Sequence, residues 1–450
     1  MNFERPIKIG ATSTEQTENA LLSELIKTLN ITIEDEKLIS QYKDADTSFT
    51  RDRVFTFKVL LSFLMTNLQK GLQREIALFS EAIQSEGGSI PEVSKAAFCK
   101  ARKKLKPTVF TELSKVTCQT FYGSDEVELW NGYRLLGTDG STVELPNSKD
   151  IQEKFGVFKY RKDGKAICMG RTLMIYDTLN HLTLHGSLDK MEESETSMLH
   201  KVLPEIDFKE NDLLIFDRYY ASHLLFFYLQ KIGVQFCFRM KKNWWKVVET
   251  FYNAGKESQV VNLELPAKDK TAAESLGITK KKIKVRLVRI ELESGETEIL
   301  LSTLVNEEIF TPAHLKELYG LRWPIEESYK TFKHKVCIEN FSGKSEKAVL
   351  QDFYVKIFIM NLTAVAVRPI NEALKKQPIR VKYAHQVNFI EAIATMKKAV
   401  VSFFVTGKIT QAIKRVVRRL TDITEPIRPG RKFKRNHQPK RKHYMNYKPV

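Results

Sequence analysis

The spacing of apolar positions changes along this chain, and each change marks a different kind of structure. Between residues 53 and 122 apolar side chains recur every three or four positions, which predicts four short helices. Between residues 133 and 240 short apolar runs alternate with helical stretches in the order β-β-β-α-β-α-β. The predicted strands there cover residues 133–138, 166–177, 182–188, 213–216 and 234–240. Further strands are predicted over residues 260–265, 283–292 and 297–305, and helices over 311–335, 347–368 and 387–420.

This order of elements predicts an α/β protein with several domains. The alternation over residues 130–240 is typical of a ribonuclease-H-like core, which we expect to resume at residues 311–345. Residues 241–310 break the alternation and are expected to form an inserted β subdomain. The remaining expected parts are an N-terminal helical domain (1–125), a C-terminal helical region (346–425) and a basic disordered tail (426–450).

Charge and composition narrow the choice of partner and compartment. The 450 residues carry a net charge of +18, which favours a polyanion such as DNA over an acidic membrane surface. The five cysteines are scattered without a CxxC pair, which indicates reduced thiols in a cytoplasmic protein and not a zinc site. Lys356 and Asn361 interrupt the most apolar run, residues 353–367, so we expect no membrane span.

Basic residues are concentrated in one predicted helix and in the tail. The helix over residues 94–106 has an apolar inner face and six bases on its outer face. The neighbouring predicted helices are short and joined by tight turns, and together with this basic helix they are typical of a DNA-binding domain of helix-turn-helix type. An ordinary helical bundle with a solvated basic face is the alternative. The predicted DNA contacts on this helix are Lys100, Arg102, Lys103 and Lys104.

Two aspartates follow predicted strands. Asp139 comes directly after residues 133–138 and is followed by Gly140, and Asp217 comes directly after the wholly apolar run 213–216. An Asp-Gly pair is also a strong hairpin signal, and Asp217 could also cap the helix that follows. Because α/β sheets bind ligands where buried strands end, we interpret Asp217 as a functional group, whereas Asp139, taken alone, is interpreted as a turn residue.

Residues 319–333 place acidic, basic and aromatic side chains at helical intervals. Tyr319, Arg322, Glu326 and Lys333 are spaced so that they can share one face, with Lys330 beside them. A carboxylate among bases suits a site where a hard cation and a phosphate meet. A solvated helix face of mixed charge is the alternative.

The same segment has an apolar stripe and two prolines that bear on its shape. Thr311-Pro312 predicts its N-terminus, and Pro324 predicts either a kink or a fresh helix start. The stripe is predicted to face the core and consists of Leu315, Leu318, Ile325, Tyr329 and Phe332.

Two adjacent tryptophans, Trp244 and Trp245, lie among Lys241, Lys242 and Lys246. Aromatic rings among bases suit stacking on a DNA base, so both are candidate DNA contacts. If they lie in a strand, only one can face DNA and the other should be buried. The alternative is that at least one belongs to the core.

The spacing of Tyr319, Arg322, Glu326 and Lys333 resembles the signature of the insertion-sequence-four family of bacterial cut-and-paste transposases. The resemblance runs from about residue 94 to Lys333, and its other pieces are TDGST around Asp139 and FDRYY around Asp217. Members of that family have a ribonuclease-H-like core interrupted by a β insertion.

The resemblance implies a function and a metal site. Asp139, Asp217 and Glu326 would bind two Mg²⁺ ions, which Mn²⁺ could replace, for two-metal phosphoryl transfer. The substrates would be double-stranded terminal inverted repeats, cut through a hairpin intermediate and joined to target DNA. Arg322 and Lys333 would position phosphate and Tyr319 would contact the DNA end. The family also implies a homodimer in the synaptic complex and a bacterial, nucleoid-associated location.

Two other functions remain open on the sequence. One is a ribonuclease-H-like DNA nuclease or resolvase that never joins strands. The other is a domesticated, non-catalytic DNA-binding protein, against which the intact carboxylates argue.

Overall fold

The structure is a computed structural model that describes residues 14–51, 53–66, 68–158, 166–292, 295–376 and 383–428. The chain divides into two compact units. The sheet unit comprises Glu128–Val143 and Met169–Thr331. The helical unit comprises Met1–Val127, Glu144–Cys168 and Phe332–Val450. The basic tail predicted over residues 426–450 lies outside the described residues beyond position 428.

Helices and strands are numbered along the chain. The helices are α1 Thr14–Glu34, α2 Glu36–Tyr42, α3 Phe57–Met65, α4 Leu72–Ser85, α5 Lys95–Arg102, α6 Val109–Tyr122, α7 Lys149–Phe155, α8 Glu195–Val202, α9 His223–Lys231, α10 Lys246–Asn253, α11 Lys270–Ser275, α12 Pro312–Gly320, α13 Trp323–Lys330, α14 Glu346–Lys376, α15 Phe389–Phe404 and α16 Ile409–Asp422. The strands are β1 Arg134–Leu145, β2 Cys168–Asp177, β3 Leu182–Lys190, β4 Asp212–Phe216, β5 Gln235–Met240, β6 Ser258–Glu264, β7 Lys282–Glu291, β8 Thr297–Ser302, β9 His385–Val387 and β10 Thr424–Pro426.

The sheet unit is built on one eight-stranded sheet with the order β3-β2-β1-β4-β5-β8-β7-β6. Strands β1, β4 and β5 run parallel to one another in its centre. The pair β2–β3 and the run β5–β8–β7–β6 are antiparallel. The five residues of β4 are all buried, as expected for a strand covered on both faces. The predicted α/β class is therefore confirmed.

The inserted segment extends this sheet and does not stand apart from it. Strand β8 pairs with β5 in the register Cys237 opposite Ser302, and β7 and β6 continue outward from it. The segment also contains helices α10 and α11, which the strand-like spacing of residues 241–310 did not predict. The sheet thus runs across the domain boundary that the sequence predicted at residue 240.

A buried ion pair fixes the register at the centre of the sheet. Arg134 on β1 lies opposite Asp212 on β4. The guanidinium donates to both carboxylate oxygens, Nε to Oδ1 at 2.6 Å and Nη2 to Oδ2 at 2.7 Å. Both side chains are almost fully buried, so a shift in register would leave two buried charges unpaired.

The helical unit brings together helices from both ends of the chain. The four helices predicted between residues 53 and 122 are present as α3 to α6, and Ser94 caps α5 through the N–H of Ala97. The ring of Phe110 on α6 lies 6.5 Å from that of Phe358 on α14, and Asn30 on α1 donates to the carbonyl of Phe403 on α15. The predicted N-terminal and C-terminal helical regions are therefore parts of one unit.

Helix α14 is long and apolar enough to cross a membrane by length and composition alone, and it is the one such helix in the described part of the chain. Within the structure, 94% of its most apolar stretch is buried. That degree of burial is typical of the core helix of a globular domain.

Candidate active site

Two aspartates meet at one end of the central parallel strands. Gly137 on β1 pairs with Ile215 on β4, and Asp139 and Asp217 each lie two residues further along the chain. Both carboxylates are close enough to Arg322 to interact with its charge, so they lie at the same end of the parallel pair. Asp217 directly follows β4 as expected, but Asp139 lies inside β1 and does not end it. The strand continues past Asp139 because Ser141 is still held to β2, where its carbonyl accepts from the Thr172 hydroxyl.

Each aspartate also makes a local backbone bond. Asp139 Oδ1 accepts from the N–H of Gly140 at 3.0 Å, and Asp217 Oδ1 accepts from the N–H of Arg218 at 2.6 Å. Asp217 thereby caps a 3₁₀ turn over Arg218–Tyr220, while Ser222 caps α9. The capping alternative is therefore partly right for Asp217, and one oxygen of each carboxylate remains for another role.

The segment that contains Tyr319, Arg322, Glu326 and Lys333, called the signature segment below, covers residues 311–335. It begins as predicted and is divided into two α-helices and a π-helix. Thr311 caps α12 with Pro312 in the first turn, and α12 ends at Gly320. Helix α13 starts afresh with Pro324 in its first turn, where a missing N–H costs nothing. A π-helix follows over Thr331–Lys335. All five residues of the predicted apolar stripe are buried.

Although a new helix starts at Trp323, Arg322 still contacts Glu326. Arg322 Nη2 donates to Glu326 Oε1 at 2.5 Å, and the Arg322 guanidinium lies 5.8 Å from the centre of the Tyr319 ring. Burial raises the pKa of Tyr319, and its hydroxyl has no hydrogen-bond partner among the described residues. Three of the predicted signature residues therefore form one contact group next to the aspartates.

Electrostatics connects this group to Asp139. The pKa of Asp139 is raised to about 6 from its ordinary 3.8, mainly by burial and also by the charges of Glu195 and Glu326. The N–H of Gly140 and the charge of Arg322 oppose the rise. Crowded, partly buried carboxylates of this kind are the ligands that Mg²⁺ prefers in proteins, because a cation offsets their repulsion. The chemistry of the donor set therefore fits a hard divalent cation.

Asp139, Asp217 and Glu326 are not arranged around one common point in this structure. In the part of the chain that the structure describes, no three His, Cys, Asp or Glu side chains are close enough together to hold a metal ion. Glu326 is turned toward Arg322 instead. A cation site at Asp139 and Asp217 would need Glu326 to exchange that partner.

The structure adds a fourth carboxylate, Glu195, that the sequence reasoning did not identify. It lies in the first turn of α8, where Arg171 Nη1 donates to Oε1 at 3.1 Å and the Tyr220 hydroxyl donates to Oε2 at 2.9 Å. A second tyrosine, Tyr329, donates to the backbone carbonyl of Asp139 at 2.9 Å. No spacing in the sequence signals these contacts, because their partners are distant along the chain.

The two tryptophans lie in a turn before α10 and not in a strand. Trp244 is 44% exposed, and Lys241 Nζ lies 3.9 Å from the centre of its ring. Trp245 instead stacks on His223, with ring centres 3.8 Å apart, and also packs against Phe226. Of the two, Trp244 is the one available to a ligand.

The bases of the signature segment differ in their surroundings. Lys330 is exposed, pairs with Glu327 and lies 5.1 Å from the ring of Trp323, an exposed tryptophan that begins α13. Lys333 belongs to the helical unit and lies in the π-helix.

One of the four predicted DNA contacts in and directly after α5 is an interior residue. Lys100 and Lys103 are exposed and Lys104 is half-buried. Arg102 is only 5% exposed, because its guanidinium pairs with Asp352 at 2.7 Å and also donates to Gln351. The outer basic face of α5 therefore excludes Arg102.

Comparison with known proteins identifies the family. The model of the transposase DDE domain family matches residues 130–362, which contain Asp139, Asp217 and Glu326. The chain belongs to the DDE transposase family. This confirms the resemblance seen in the sequence, and members of the family generally use divalent metal ions.

Two known proteins are similar to this chain. Over 290 residues the chain is 20% identical to the transposase InsG for insertion sequence element IS4 of Escherichia coli (strain K12), and the match spans 64% of each chain. A solved piggyBac transposase synaptic complex with hairpin DNA is similar over 90% of this chain and 85% of that one, at 10% identity and a TM-score of 0.41.

Proposed function

We propose that this DDE transposase cuts the ends of its insertion sequence and joins them to target DNA, with Asp139, Asp217 and Glu326 as its catalytic residues. The observation that carries the proposal is that Asp139 on β1 and Asp217 directly after β4 both interact electrostatically with Arg322, which is paired with Glu326. We place these residues in a ribonuclease-H-like core made of β1 to β5 with α13. The order β3-β2-β1-β4-β5 supports that assignment.

The three carboxylates would hold the divalent ions, Mg²⁺ or Mn²⁺. Two bound ions would supply a stronger nucleophile and stabilise the leaving oxygen of a phosphodiester. Asp139 and Asp217 are fixed by the strands, whereas Glu326 is on a helix and paired with Arg322. Arg322 is then placed to bind a phosphate oxygen, since a guanidinium recognises phosphate and carboxylate in the same way.

Tyr319 supports a DNA contact beside the carboxylates. Its hydroxyl is buried without a partner in the described part of the chain, which costs free energy unless a ligand supplies one. A phosphate oxygen of the DNA end suits this donor. Lys330 and Lys333 follow on the same segment and would add positive charge along the DNA backbone.

An aromatic and basic surface follows Asp217. Tyr219 is 65% exposed, and Lys241 Nζ lies between its ring and that of Trp244, at 5.1 Å and 3.9 Å from their centres. Exposed rings beside a cation suit a base that has left the stack when the DNA end closes into a hairpin. We therefore assign Trp244, and not Trp245, as the stacking residue.

The remaining parts of the proposal concern DNA and assembly. Lys100 on α5, with Lys103 and Lys104 directly after it, would bind the phosphates of the terminal repeats, as in a helical DNA-binding domain. Joining two ends to one target implies a homodimer in the synaptic complex, working on the bacterial chromosome.

The test is cleavage and joining of a duplex that carries the inverted repeats flanking the gene. Asp139→Ala, Asp217→Ala and Glu326→Ala should each abolish cleavage and leave binding of the duplex nearly intact. Glu327→Ala is the matched control, because Glu327 is exposed next to Glu326 and its carboxylate pairs with the exposed Lys330. EDTA should stop the wild-type reaction, and Mg²⁺ or Mn²⁺ should restore it.

The products separate the alternatives. A transposase yields a hairpin at the excised end and then a joined product with a target plasmid. A nuclease or resolvase would cut without joining, and a domesticated DNA-binding protein would bind without cutting. Any carboxylate variant that still cleaves at the wild-type rate is not a metal ligand.

A further inference from the structure

Glu195 connects the segments that carry the two catalytic aspartates. Its carboxylate receives the Tyr220 hydroxyl, and Tyr220 lies three residues after Asp217 in a buried position. The same carboxyl packs on Gly140, the residue after Asp139. A Cβ built on Gly140 would lie 2.1 Å from Glu195 Cδ, so this side chain occupies the space that any other residue at position 140 would need.

Arg171 holds Glu195 in that place from a third element. Arg171 lies on β2, and its guanidinium donates to Glu195 Oε1 at 3.1 Å and to the carbonyl of Met191 at 3.2 Å. With one oxygen held by Arg171 and the other by Tyr220, the carboxylate has little freedom to turn. Gly140 lies in the extended strand β1, so the space taken by Glu195, and not an unusual backbone conformation, calls for glycine there.

We propose that Glu195 is a positioning residue that fixes the separation of Asp139 and Asp217. It acts as a brace between Gly140 on β1 and Tyr220 beyond β4, with Arg171 as its anchor. Tyr329, three residues after Glu326, braces the third carboxylate in a similar way by donating to the carbonyl of Asp139. The inference rests on the proposed function, because it assigns Glu195 a role only through the aspartates.

If Glu195 positions the aspartates, substitutions at Glu195, Tyr220 and Gly140 should each change the cleavage activity. Glu195→Ala removes it, and Tyr220→Phe removes one hydrogen bond while keeping the buried ring. Gly140→Ala displaces the Glu195 carboxyl. Partners that orient metal ligands typically contribute about 10–100-fold in metal affinity or activity, so each variant should lose cleavage of the terminal-repeat duplex by about that factor. Glu195→Gln can still accept from Arg171 and bond to Tyr220, so it should retain most of the activity.

Combining the variants tests whether they act through one contact. The double variant Glu195→Ala with Tyr220→Phe should be no worse than Glu195→Ala alone, since Tyr220 acts through Glu195. The same should hold for Glu195→Ala with Gly140→Ala. Additive losses would mean that the residues act separately and would overturn the brace.

A second readout does not depend on turnover. Binding of Mn²⁺ alone, followed by electron paramagnetic resonance without DNA, should weaken in Glu195→Ala and Tyr220→Phe and stay near wild type in Glu195→Gln. The matched control is Glu192→Gln, because Glu192 is exposed three residues earlier in the chain. Thermal melts identify any variant that fails to fold, and Tyr220→Phe is the variant expected to fold normally.

The outcomes distinguish this inference from the proposed function. If Asp139→Ala is inactive while every Glu195 and Tyr220 variant behaves as wild type, the brace is wrong and the catalytic assignment stands. If Glu195→Gln loses as much Mn²⁺ binding as Glu195→Ala, the charge itself is required, which also overturns a positioning role. If Asp139→Ala still cleaves, the proposed function itself fails.

Discussion

At the scale of single residues, Arg102 shows that a base in a basic run need not be a DNA contact. Its guanidinium also donates to the Ser342 hydroxyl and to the carbonyl of Ala348, so all of its nitrogens are used inside the helical unit. Burial alone would raise the pKa of Asp352, but the charges of Arg102 and Lys356 and the bonds from Ser342 outweigh it and lower that pKa. Arg102 therefore neutralises a buried carboxylate.

We predict that Arg102→Ala destabilises the protein by about 3–5 kcal/mol, because it leaves Asp352 buried without its main counter-charge. The exposed neighbour Lys103 is the matched control. Lys103→Ala should change the free energy of unfolding by no more than about 0.5 kcal/mol and should weaken DNA binding at low salt. Urea unfolding and DNA titrations of both variants check this. Equal stability of the two variants would contradict an interior role for Arg102.

At the scale of elements, the turn between β5 and α10 separates two tryptophans that the sequence treats alike. Trp245 stands at the N-cap position of α10 and packs on α9 through His223 and Phe226. Trp244 points its ring toward solvent with Lys241 over it. The sequence predicted one exposed and one buried ring if the pair lay in a strand, whereas the structure places the pair in a turn with Trp244 exposed and Trp245 only half-buried.

We predict that Trp244→Ala spares the first nick and slows hairpin formation, at a cost of about 1–3 kcal/mol in activation free energy, as for loss of base stacking. Trp245→Ala should instead lower the free energy of unfolding by about 1–3 kcal/mol, because its ring packs against α9. Kinetics on pre-nicked terminal-repeat duplexes and thermal melts of both variants check the division. Normal hairpin formation by Trp244→Ala would remove Trp244 from the DNA surface.

At the scale of the whole molecule, positive charge is distributed unevenly. Residues 426–450 contain nine Lys or Arg and no acid, which is half of the net charge of +18. Of these residues, Pro426 pairs with His385 between β10 and β9, so the folded part of the chain reaches at least that far. The bases beyond it are suited to counterion release on any DNA sequence, because they add positive charge without acidic neighbours.

We predict that removing residues 429–450 weakens binding to all DNA sequences alike, because the tail contributes charge without reading bases. The slope of log K against log salt concentration should decrease by about 0.9 for each DNA phosphate that the tail neutralises in the full-length protein. Cutting after residue 428 leaves the β9–β10 pair intact. A tail of the same length with Gln at each basic position is the control. A loss confined to the terminal repeat would show that the tail recognises sequence.

The sequence by itself predicted most elements of this protein and the three carboxylates that we propose as catalytic. Helices α3 to α6, the eight strands of the sheet and the start of α12 at Thr311 follow from periodicity and capping, which depend on neighbours a few residues away. The spacing of Tyr319, Arg322, Glu326 and Lys333 was enough to predict the family.

Only the tertiary structure decided which of these residues meet. Glu195 lies close to Asp139, although Asp139 comes 56 positions earlier in the chain. The two meet because α8 packs where β1 and the turn after β4 come together. Arg102 finds Asp352 across about 250 positions, which moves it from the expected surface to the interior. Burial and pairing of charges depend on contacts between distant segments, and no local pattern of hydrophobic and polar residues contains that information.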